Sequence, residues 1–554
     1  MYYLGIASLY HDPAAALICN NKIIAIAEEE RFSLNKHARG EFPWRAIDFC
    51  LKKAGITIKQ VDKIGFYFNP SFKNLFVKRK AIYKNPVNVL GTIYYRKNIL
   101  NNPIAGLKKY FGSEKKIYYI DHHKTHAASA FYVSGFQKSA ILTMDGAGEA
   151  TSTGFYLGNG SQIEELDDIC LPNSLGAYYT CLTEWLGFEP NEGEGKVMGL
   201  APYGSKYLEV FNKILQVSKS QNPPYKFDSS LLNFNVGKLE ANYSQKLISM
   251  IGKPRGREEL TENHKHVAYS LQKRLEDAAL ALTEKIVGMA GSKNLCIAGG
   301  VGLNCKMNGV LLASGLIDDI FVQPAAYDSG CALGAALTLA VEDGHKFQKM
   351  EHAYFGPEYS DEEIKRYLDM AKIKYEYQKD IAGTVGDMLA KDKIVAWFQG
   401  RMEWGARALG NRSILANPNS PKIKDRINYY VKHREPFRPF CPSMLEEKAK
   451  DYGVNKYLPF MIVATSVPEE KRKDISGVVH VDGSIRPQTV RKTVNPLYHK
   501  AISQFHKNTG IPVLLNTSLN IKGQPIIENP KQALSLFYSE GIDALAIGNY
   551  LVKK

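Results

Sequence analysis

The sequence lacks any C-x-x-C pair, although it contains eight cysteines. Without such pairs neither a zinc ribbon nor a disulfide framework is indicated, so we expect reduced thiols that are mostly buried. The sequence also lacks an apolar run long enough to span a membrane, and its first residues lack the basic start and cleavage site of a signal peptide. We therefore predict a cytoplasmic protein with no membrane span.

Length and composition indicate a globular protein of several domains. At 554 residues the chain is too long for one ordinary hydrophobic core, so two or three domains are expected. Hydrophobic residues make up 45% of the chain and charged residues 23%, a balance that excludes bulk disorder.

The net charge of +15 is concentrated in one segment. Residues 72–116 contain eleven lysines and arginines and a single acid, Glu114, interleaved with tyrosines and other apolar residues. This pattern favours amphipathic helices that could meet an anionic substrate, a nucleic acid or an acidic membrane surface. A solvated insertion is the alternative.

One pattern of predicted strands occurs twice. Residues 2–29 read as an apolar strand, a polar turn with His11 and Asp12, a second strand, a tight turn and a third strand. Residues 139–166 repeat this order, with Asp145 in the polar turn. Two such copies, each followed by helical sequence, predict a duplicated α/β fold with a cleft between its halves, which is the plan of the actin and sugar-kinase superfamily.

Two further strand-to-helix turns suit a nucleotide cleft. The predicted strand at 295–298 runs into a glycine-rich turn that contains Gly300, and residues 324–336 place Asp328 before a helix of small residues. Glycine lets backbone N–H groups approach an anion closely before a helix begins. Neither turn is a G-x-G-x-x-G or Walker motif, so ordinary tight turns are the competing interpretation.

Three histidines lie within five positions in DHHKTHAASAF, where Asp121 is a suitable N-cap for a helix. His122 and His126 are four apart and share one helix face, as metal ligands on a helix must. His123 and His126, three apart, are the competing pair. A histidine pair alone is more often structural or solvated than ligating.

Two carboxylates are expected to complete a metal site with these histidines. Asp145, in the second polar turn, would point into the cleft, and Asp328 would close it from the other half. Two imidazoles and two carboxylates suit a divalent ion such as iron, manganese or zinc, and they do not choose among these ions.

The chain changes character after about residue 345. A linker leads to a new α/β pattern that begins with a strand at 393–398 and continues into glycine-rich loops that carry arginine. Planar guanidinium groups in such loops are typical of sites for phosphate or another planar anion, and a solvated basic face is the alternative. The side chains of this predicted anion site are Arg401, Arg407, Arg412, Lys432, Arg434, Arg438, Arg486, Asn516, Thr517 and Ser518.

Ten short motifs follow one another along the chain: HDPAAAL, EEERF, HHKTHAASAF, MDGAGE, EGKVMGLAPYG, GGVGLN, DSGCALGAA, GARALGNRSILA, REPFRPFCP and NTSLNIKGQPI. In this order they resemble the motifs of the carbamoyltransferases that modify nodulation factors, cephamycins and tobramycin. The resemblance covers essentially the whole chain, and the last five motifs together are very specific.

This resemblance implies two domains and two chemical steps. Residues 1–345, with the basic insertion 72–116, would form an actin-like domain similar to the threonylcarbamoyladenosine synthase subunit, and residues 346–554 a YrdC-like α/β domain. In the C-terminal domain carbamoyl phosphate and ATP would give carbamoyl adenylate and pyrophosphate. In the N-terminal domain the carbamoyl group would pass to the hydroxyl group of a sugar or natural product.

The resemblance also implies roles for individual residues. Contacts to carbamoyl phosphate and ATP map onto Arg407, Arg412, Lys432, Arg438, Arg486, Asn516 and Ser518, and nucleotide contacts in the N-terminal domain onto Gly176, Gly300 and Asn304. A metal held by His122, His126, Asp145 and Asp328, for which we favour iron over manganese or zinc, would grip the adenylate phosphate, while Mg accompanies ATP. His11 matches the general base, for which a pKa near neutrality is suitable, and Asp12 would contact the acceptor.

The expected partners are ATP, carbamoyl phosphate and a hydroxyl-bearing small-molecule acceptor, with a possible homodimer and no stable complex with nucleic acid. No acceptor-specific motif is recognised, and an anionic acceptor is a hypothesis motivated by the charge of 72–116. One alternative is an RNA-binding or tRNA-modifying relative that uses this basic segment. Another is an actin-like kinase or ATPase, which would leave the arginine-rich C-terminal region unexplained.

Overall fold

The computed structural model describes residues 1–9, 11–70, 101–111, 116–235 and 240–554. Most of the basic segment 72–116 lies outside these ranges, and so do the predictions made for it. No helix within the described ranges is long and apolar enough to cross a membrane.

The chain forms two compact units. The first consists of Met1–Glu29 and Arg39–Met350, and the second of Glu30–Ala38 and Glu351–Lys554. The short segment Glu30–Ala38 therefore groups with the second unit, although the predicted boundary placed all of 1–345 in the first domain.

Two five-stranded sheets of the same plan form the centre of the first unit. Its strands are β1 (Tyr2–Ala7), β2 (Ala14–Cys19), β3 (Lys22–Glu28), β4 (Lys63–Phe66), β5 (Ile117–Tyr119), β6 (Lys138–Met144), β7 (Thr151–Asn159), β8 (Gln162–Cys170), β9 (Leu215–Val217), β10 (Tyr225–Phe227), β11 (Leu232–Asn235), β12 (Glu240–Tyr243), β13 (Asn294–Ala298) and β14 (Asp319–Val322). The spatial orders are β3-β2-β1-β4-β5 and β8-β7-β6-β13-β14, while β9–β10 and β11–β12 are separate hairpins.

The two sheets also agree in strand direction. β1 pairs antiparallel with β2 and parallel with β4, just as β6 pairs antiparallel with β7 and parallel with β13. The outer pairs repeat this agreement, with β2–β3 and β7–β8 antiparallel and β4–β5 and β13–β14 parallel. The duplication predicted from residues 2–29 and 139–166 is confirmed.

Helices follow the strands in both halves of the first unit. They are α1 (Glu29–Ser33, which continues into the second unit), α2 (Trp44–Ala54), α3 (Asn101–Phe111), α4 (His122–Phe131), α5 (Leu175–Trp185), α6 (Glu194–Leu200), α7 (Phe211–Ile214), α8 (Gln245–Ile251), α9 (Glu262–Ala290), α10 (Cys305–Ala313) and α11 (Ser329–Glu342).

Helix α11 is made of small residues because its neighbours approach it at backbone distance. A Cβ atom on Gly5 of β1 would lie 1.8 Å from the carbonyl oxygen of Ala332 in this helix. A Cβ atom on Gly334 would lie 1.9 Å from the carbonyl oxygen of Thr125 in α4. The absent side chains let α11 and α4 cross closely, which brings the first residues of both helices together.

One mixed eight-stranded sheet forms the centre of the second unit, in the order β15-β24-β23-β16-β17-β22-β18-β21. Its strands are β15 (Glu376–Tyr377), β16 (Val395–Phe398), β17 (Arg412–Ala416), β18 (Cys441–Leu445), β21 (Gln488–Val490), β22 (Val513–Ser518), β23 (Ala544–Ile547) and β24 (Tyr550–Lys553), and β19 (Thr465–Ser466) pairs with β20 (Ser484–Ile485) outside it. The strand predicted at 393–398 is β16.

The second unit has five α-helices among its described residues: α12 (Asp361–Met370), α13 (Ile381–Ala390), α14 (Pro421–Ile427), α15 (Pro496–Thr509) and α16 (Pro530–Ser539). Asn495 caps α15 by accepting a hydrogen bond from the backbone N–H of Tyr498 at 3.1 Å. Helices α13 and α15 pack together, and Val385, Phe505 and Tyr498 join Trp397 of the sheet in one buried core. The predicted α/β class is therefore confirmed for both units.

Candidate functional site

Helix α4 carries three buried histidines at its first turns, where His122, His123 and His126 are 2%, 3% and 0% exposed. The helix begins after Asp121, as predicted, but the Asp121 side chain does not cap it. A buried helix start with three titratable rings is an unusual arrangement for a purely structural helix.

The predicted metal ligands converge in space. Nε2 of His126 lies 2.9 Å from Oδ2 of Asp145 and 3.1 Å from Nε2 of His122. Nε2 of His122 lies 3.4 Å from the same Asp145 oxygen. Oδ1 of Asp328, at the start of α11, is 3.8 Å from His122 and 3.9 Å from His126.

This cluster fits a divalent ion. One ligand atom from each of the four residues lies within 4.8 Å of all the others. Two imidazole nitrogens that face each other at 3.1 Å alongside two carboxylates form a mixed nitrogen and oxygen donor set. A divalent cation would satisfy these lone pairs together, so His122, His126, Asp145 and Asp328 are the residues that would hold it.

The competing histidine, His123, is engaged elsewhere. Its Nδ1 lies 2.7 Å from the hydroxyl of Thr143, and its Nε2 lies 2.9 Å from the carbonyl oxygen of Thr151. Burial and the neighbouring His122 lower the pKa of His123 well below its ordinary value, which keeps the ring neutral. Because both nitrogens of His123 have protein partners, the geometry supports His122 as the partner of His126.

Without an ion, the cluster is held by opposite charges. Burial lowers the pKa of His122, but the carboxylates of Asp328 and Asp145 outweigh burial and raise this pKa to about 9. Burial raises the pKa of Asp145, but its hydrogen bonds with His122 and His126 hold it well below its ordinary value. The carboxylates that favour a positive charge on His122 would equally favour a cation beside them.

His11 and Asp12 form a hydrogen-bonded pair in the turn between β1 and β2, with Nδ1 of His11 2.8 Å from Oδ2 of Asp12. Asp12 adopts a positive φ of 53°, which aspartate tolerates better than most residues. Burial lowers the pKa of His11, but the Asp12 hydrogen bond and the charge of Asp328 raise it to about 9. The pKa of His11 therefore lies above the near-neutral value expected for this base.

Two of the three predicted nucleotide contacts, Gly176 and Gly300, lie beside the turn that carries Asp145. A Cβ atom on Gly176 would lie 2.6 Å from the backbone nitrogen of Gly146, and one on Gly300 would lie 3.2 Å from Oδ1 of Asp145. Both glycines are thus explained by close packing around the metal ligand.

Asn304 differs from its predicted role. Its Nδ2 donates to Oε1 of Gln272 at 2.8 Å, and its Oδ1 accepts from Nε2 of Gln272 at 3.0 Å and from the backbone N–H of Met307 at 3.0 Å. This side chain caps α10 and locks it to α9, so the geometry gives a nucleotide contact through the Asn304 amide no support.

Sequence reasoning missed Tyr67, which lies next to the metal cluster. Its hydroxyl donates to Oδ2 of Asp328 at 3.2 Å, and its ring packs on that of His122 with centroids 5.3 Å apart. Tyr67 therefore leaves the other oxygen of Asp328 facing the two histidines. A tyrosine directly after a buried strand carries no sequence signal of its own.

In the second unit, a buried glutamate organises the glycine-rich loop that carries Arg407. Oε1 of Glu403 accepts backbone hydrogen bonds from Leu409 at 2.7 Å, Asn411 at 2.7 Å and Arg412 at 3.1 Å. Glu403 is 2% exposed. A single carboxylate oxygen thus fixes the loop conformation, a role that was not predicted.

Arg412 differs from the predicted anion contact. It is fully buried, and its Nη1 donates to the carbonyl oxygens of Gln399 at 2.7 Å and Asn411 at 3.1 Å. Its guanidinium lies 3.7 Å above the ring of Phe398. The physical reason for the difference is that main-chain carbonyls accept hydrogen bonds from both terminal nitrogens of the guanidinium, so the geometry supports a structural role for Arg412.

Four cations gather around β18 and the segment after α14. Burial together with Arg434 and Arg438 holds the pKa of Lys432 well below its ordinary value. Burial and Arg438 likewise lower the pKa of Arg434 to about 9, with Arg486 adding to the effect. Mutual depression of this kind means that the cations lie within electrostatic range of each other. We call Lys432, Arg434, Arg438 and Arg486 the cation cluster.

Two of the predicted polar residues connect the cation cluster to the Arg407 loop. Nζ of Lys432 donates to the hydroxyl of Ser518 at 3.2 Å and to Oδ1 of Asn520 at 2.8 Å. Nδ2 of Asn516 donates to the carbonyl oxygen of Ala408 at 3.2 Å, beside Arg407. The end of β22 therefore brings Lys432, Ser518, Asn516 and the Arg407 loop into one region.

Arg486 and Arg438 lie beside a cysteine and a glutamate, respectively. Arg486 contacts Sγ of Cys441 through Nε at 3.1 Å and Nη2 at 2.8 Å. Nη1 of Arg438 lies 3.7 Å from Oε2 of Glu435. Guanidinium groups gathered in this way suit the binding of a polyanion.

Comparison with known proteins identifies the family. Residues 2–337 match the family model of the carbamoyltransferase N-terminus, and residues 386–554 match that of the carbamoyltransferase C-terminus. The uncharacterised protein sll1178 of Synechocystis is 36% identical over 100% of this chain and 97% of its own length. Nodulation protein NolNO of Sinorhizobium fredii is 37% identical over 98% of this chain and 79% of its own. Nodulation protein NolO of Bradyrhizobium diazoefficiens is 39% identical over 78% of this chain and 79% of its own.

Solved structures resemble the chain more distantly. Full-length HypF in its phosphate- and nucleotide-bound form gives a TM-score of 0.36 at 11% identity, over 61% of this chain and 55% of its own. The ROK hexokinase of Thermus thermophilus gives a TM-score of 0.31 at 15% identity, over 61% of this chain and 98% of its own. At such scores these likenesses carry no argument, and the assignment depends on the family models and sequence relatives. The chain belongs to the carbamoyltransferase family and is a carbamoyltransferase.

Proposed function

We propose that this protein is an ATP-dependent O-carbamoyltransferase that works in two steps. In the first, carbamoyl phosphate, ATP and water give carbamoyl adenylate, pyrophosphate and phosphate. In the second, the oxygen of an acceptor hydroxyl attacks the carbamoyl carbon, the bond from that carbon to the adenylate oxygen breaks, and AMP leaves. The acceptor is a sugar or a natural product.

The first step belongs to the second unit, in a domain that we expect to be YrdC-like and to begin near residue 346. Carbamoyl phosphate and Mg-bound ATP are both highly anionic, so they need several cations held at fixed positions. The cation cluster, Arg407, Asn516 and Ser518 supply such a region. Its cations would balance the charge that develops on the departing pyrophosphate.

The second step belongs to the first unit, which we expect to be actin-like over residues 1–345. His122, His126, Asp145 and Asp328 would hold a divalent ion, with iron favoured, and such an ion supplies an electrophile for the phosphate of the adenylate. Because Gly176 and Gly300 have no side chains, the nucleotide could approach the Asp145 turn closely. His11 would accept the proton of the acceptor hydroxyl, and Asp12 orients its ring.

The base role requires His11 to be neutral. Burial lowers its pKa, but Asp12, Asp328 and Asp145 outweigh burial and raise it to about 9. A cation among Asp145 and Asp328 offsets two of these negative charges, which lowers the pKa of His11 toward neutrality. Proton transfer and ion binding are therefore coupled in this account. We further propose that the enzyme acts in the cytoplasm, with a homodimer as a possible assembly.

The observation that carries the proposal is the cation cluster in a carbamoyltransferase C-terminal region. Neighbouring arginines lower the pKa of Lys432 and of Arg434 there, and like charges gathered in this way are typical of sites that bind an anion. A kinase or ATPase of actin-like fold would have no use for this second site.

The test is release of pyrophosphate from ATP, measured with and without carbamoyl phosphate. We expect release that requires carbamoyl phosphate and that is lost in Arg407→Ala. Arg366→Ala, on the exposed face of α12, is the matched control and should release pyrophosphate at the wild-type rate. ADP and phosphate as the products, formed equally without carbamoyl phosphate, would contradict the proposal.

A further inference from the structure

We propose that Glu149 is a positioning residue for the metal site. It fastens the start of helix α4, which carries His122 and His126, to the turn that carries Asp145. This inference depends on the metal site of the proposed function and adds to it a residue outside the ligand set.

Glu149 caps α4 from a distance. Both of its carboxylate oxygens accept the backbone N–H of His122, at 3.0 Å for Oε1 and 3.2 Å for Oε2. The residue at the N-cap position itself, Asp121, makes no such bond. The first N–H groups of a helix need partners, and a carboxylate is the favoured one because it also complements the helix dipole.

A second contact ties the same carboxylate to the first sheet. Oε1 of Glu149 accepts the backbone N–H of Asn69 at 2.8 Å, shortly after β4. The Asn69 side chain in turn donates to Oδ1 of Asp121 at 2.7 Å. The end of β4, the start of α4 and the turn after β6 are therefore joined at one point.

The position of Glu149 in the chain makes this join relevant to the metal. Glu149 follows Asp145 by four residues within one turn, while His122 lies on a separate element. The distance from Asp145 to the two imidazoles therefore depends on how this turn meets α4. Outer residues that orient ligands typically matter to metal affinity by roughly 10- to 100-fold.

Charge gives Glu149 a second way to favour a cation. The side chain is buried, at 5% exposure, next to the Asp121 carboxylate. A buried negative charge beside the ligand set costs solvation energy when no cation is present and attracts a cation when one binds.

Glu29 provides a matched control in the same unit. It too is a buried glutamate that caps a helix from outside the N-cap position: its Oε2 accepts the backbone N–H of Ala46 at 2.9 Å, and its Oε1 that of Arg45 at 3.3 Å, at the start of α2. Burial raises the pKa of Glu29. Glu29 is not part of the metal cluster, so its loss should affect stability without affecting the ion.

The experiment titrates metal-stripped full-length protein with Zn²⁺ against a chelating indicator and records thermal unfolding of the same samples without metal. We expect Glu149→Ala to weaken Zn²⁺ binding about 10-fold and Glu149→Gln, which keeps one acceptor oxygen, by less. Glu29→Gln should lower the unfolding temperature of metal-free protein but bind Zn²⁺ as wild type does. Wild-type Zn²⁺ affinity in both Glu149 variants would overturn the inference.

Wild type and His126→Ala separate this inference from the metal site itself. If wild type binds Zn²⁺ and His126→Ala does not, the metal site stands, and the Glu149 variants then decide the positioning role alone. If wild type and His126→Ala bind Zn²⁺ equally, the metal site of the proposed function is wrong, and the Glu149 inference is overturned with it.

Discussion

The metal cluster of the first unit and the cation cluster of the second unit are opposite solutions to burying charge. At the metal cluster, imidazoles and carboxylates turn their lone pairs toward one point, and the aspartates raise the pKa of His122. In the cation cluster, neighbouring arginines lower the pKa of Lys432 and the pKa of Arg434. The first arrangement offers lone pairs to a positive ion and the second offers N–H donors to a negative one, so each indicates the charge of its ligand.

The largest expected effect is the loss of activity when the metal cluster is disrupted. His126→Ala removes one imidazole ligand, and we expect transfer to acceptor hydroxyls to fall at least about 100-fold, since even outer-sphere changes cost metal sites 10- to 100-fold. Transfer of radiolabelled carbamoyl to a panel of sugars and glycosides measures this loss, and pyrophosphate release serves as the control. A variant that loses both activities together would show that the two sites do not divide the chemistry.

The second prediction concerns disruption of the cation cluster. Arg438→Ala should lower carbamoyl-phosphate-dependent pyrophosphate release about 100-fold, because one preorganised charged donor is typically worth that much. Its metal content should stay at the wild-type level. Arg426→Ala is the control, since Arg426 pairs with Asp543 at 2.9 Å in the same unit. Equal loss in the two arginine variants would mean that charge anywhere on this unit suffices.

A third prediction sharpens the limits of the cation cluster by testing Arg412. Removal of the buried guanidinium takes one donor from each of the carbonyl oxygens of Gln399 and Asn411 and leaves a cavity, so Arg412→Ala should lower the free energy of unfolding by about 3 kcal/mol. Denaturant titration measures this change. If stability were unchanged and the KM for carbamoyl phosphate were raised, Arg412 would be a substrate-binding residue, as the sequence predicted.

The smallest expected effect concerns His11 in metal-free protein. A pKa raised from its unfolded value to about 9 contributes stability that is full below about pH 6.5 and is lost as pH rises through 9. Wild type should therefore lose up to about 2 kcal/mol relative to Asp12→Asn between pH 6.5 and 9. Denaturant titration across this window measures the difference. Parallel pH curves for the two proteins would show that Asp12 does not hold the His11 proton.

Sequence patterns predicted the features that depend on neighbours along the chain. The repeated strands follow from alternating apolar residues and tight turns, and the shared face of His122 and His126 follows from helical spacing. The duplication then indicated that Asp145 would face these histidines. Composition also indicated that the second unit would concentrate cations.

Features that depend on tertiary contacts could not be read in this way. Asn304 pairs with Gln272 across 32 residues, and Glu149 caps His122 across 27. Arg412 and Arg438 have the same chemistry in the sequence, yet the terminal nitrogens of Arg412 donate to backbone carbonyls, which supports a structural role for it. Only the fold distinguishes an arginine that serves the main chain from one that can meet a ligand.

The division of labour between the two clusters is tested most directly by pyrophosphate release from metal-stripped protein that is resupplied with Mg²⁺ alone. We predict that release from ATP remains dependent on carbamoyl phosphate and undiminished in rate, while carbamoyl transfer to acceptors is absent and returns when Fe²⁺, Mn²⁺ or Zn²⁺ is added. Loss of pyrophosphate release on stripping, restored by the same ion, would contradict the account.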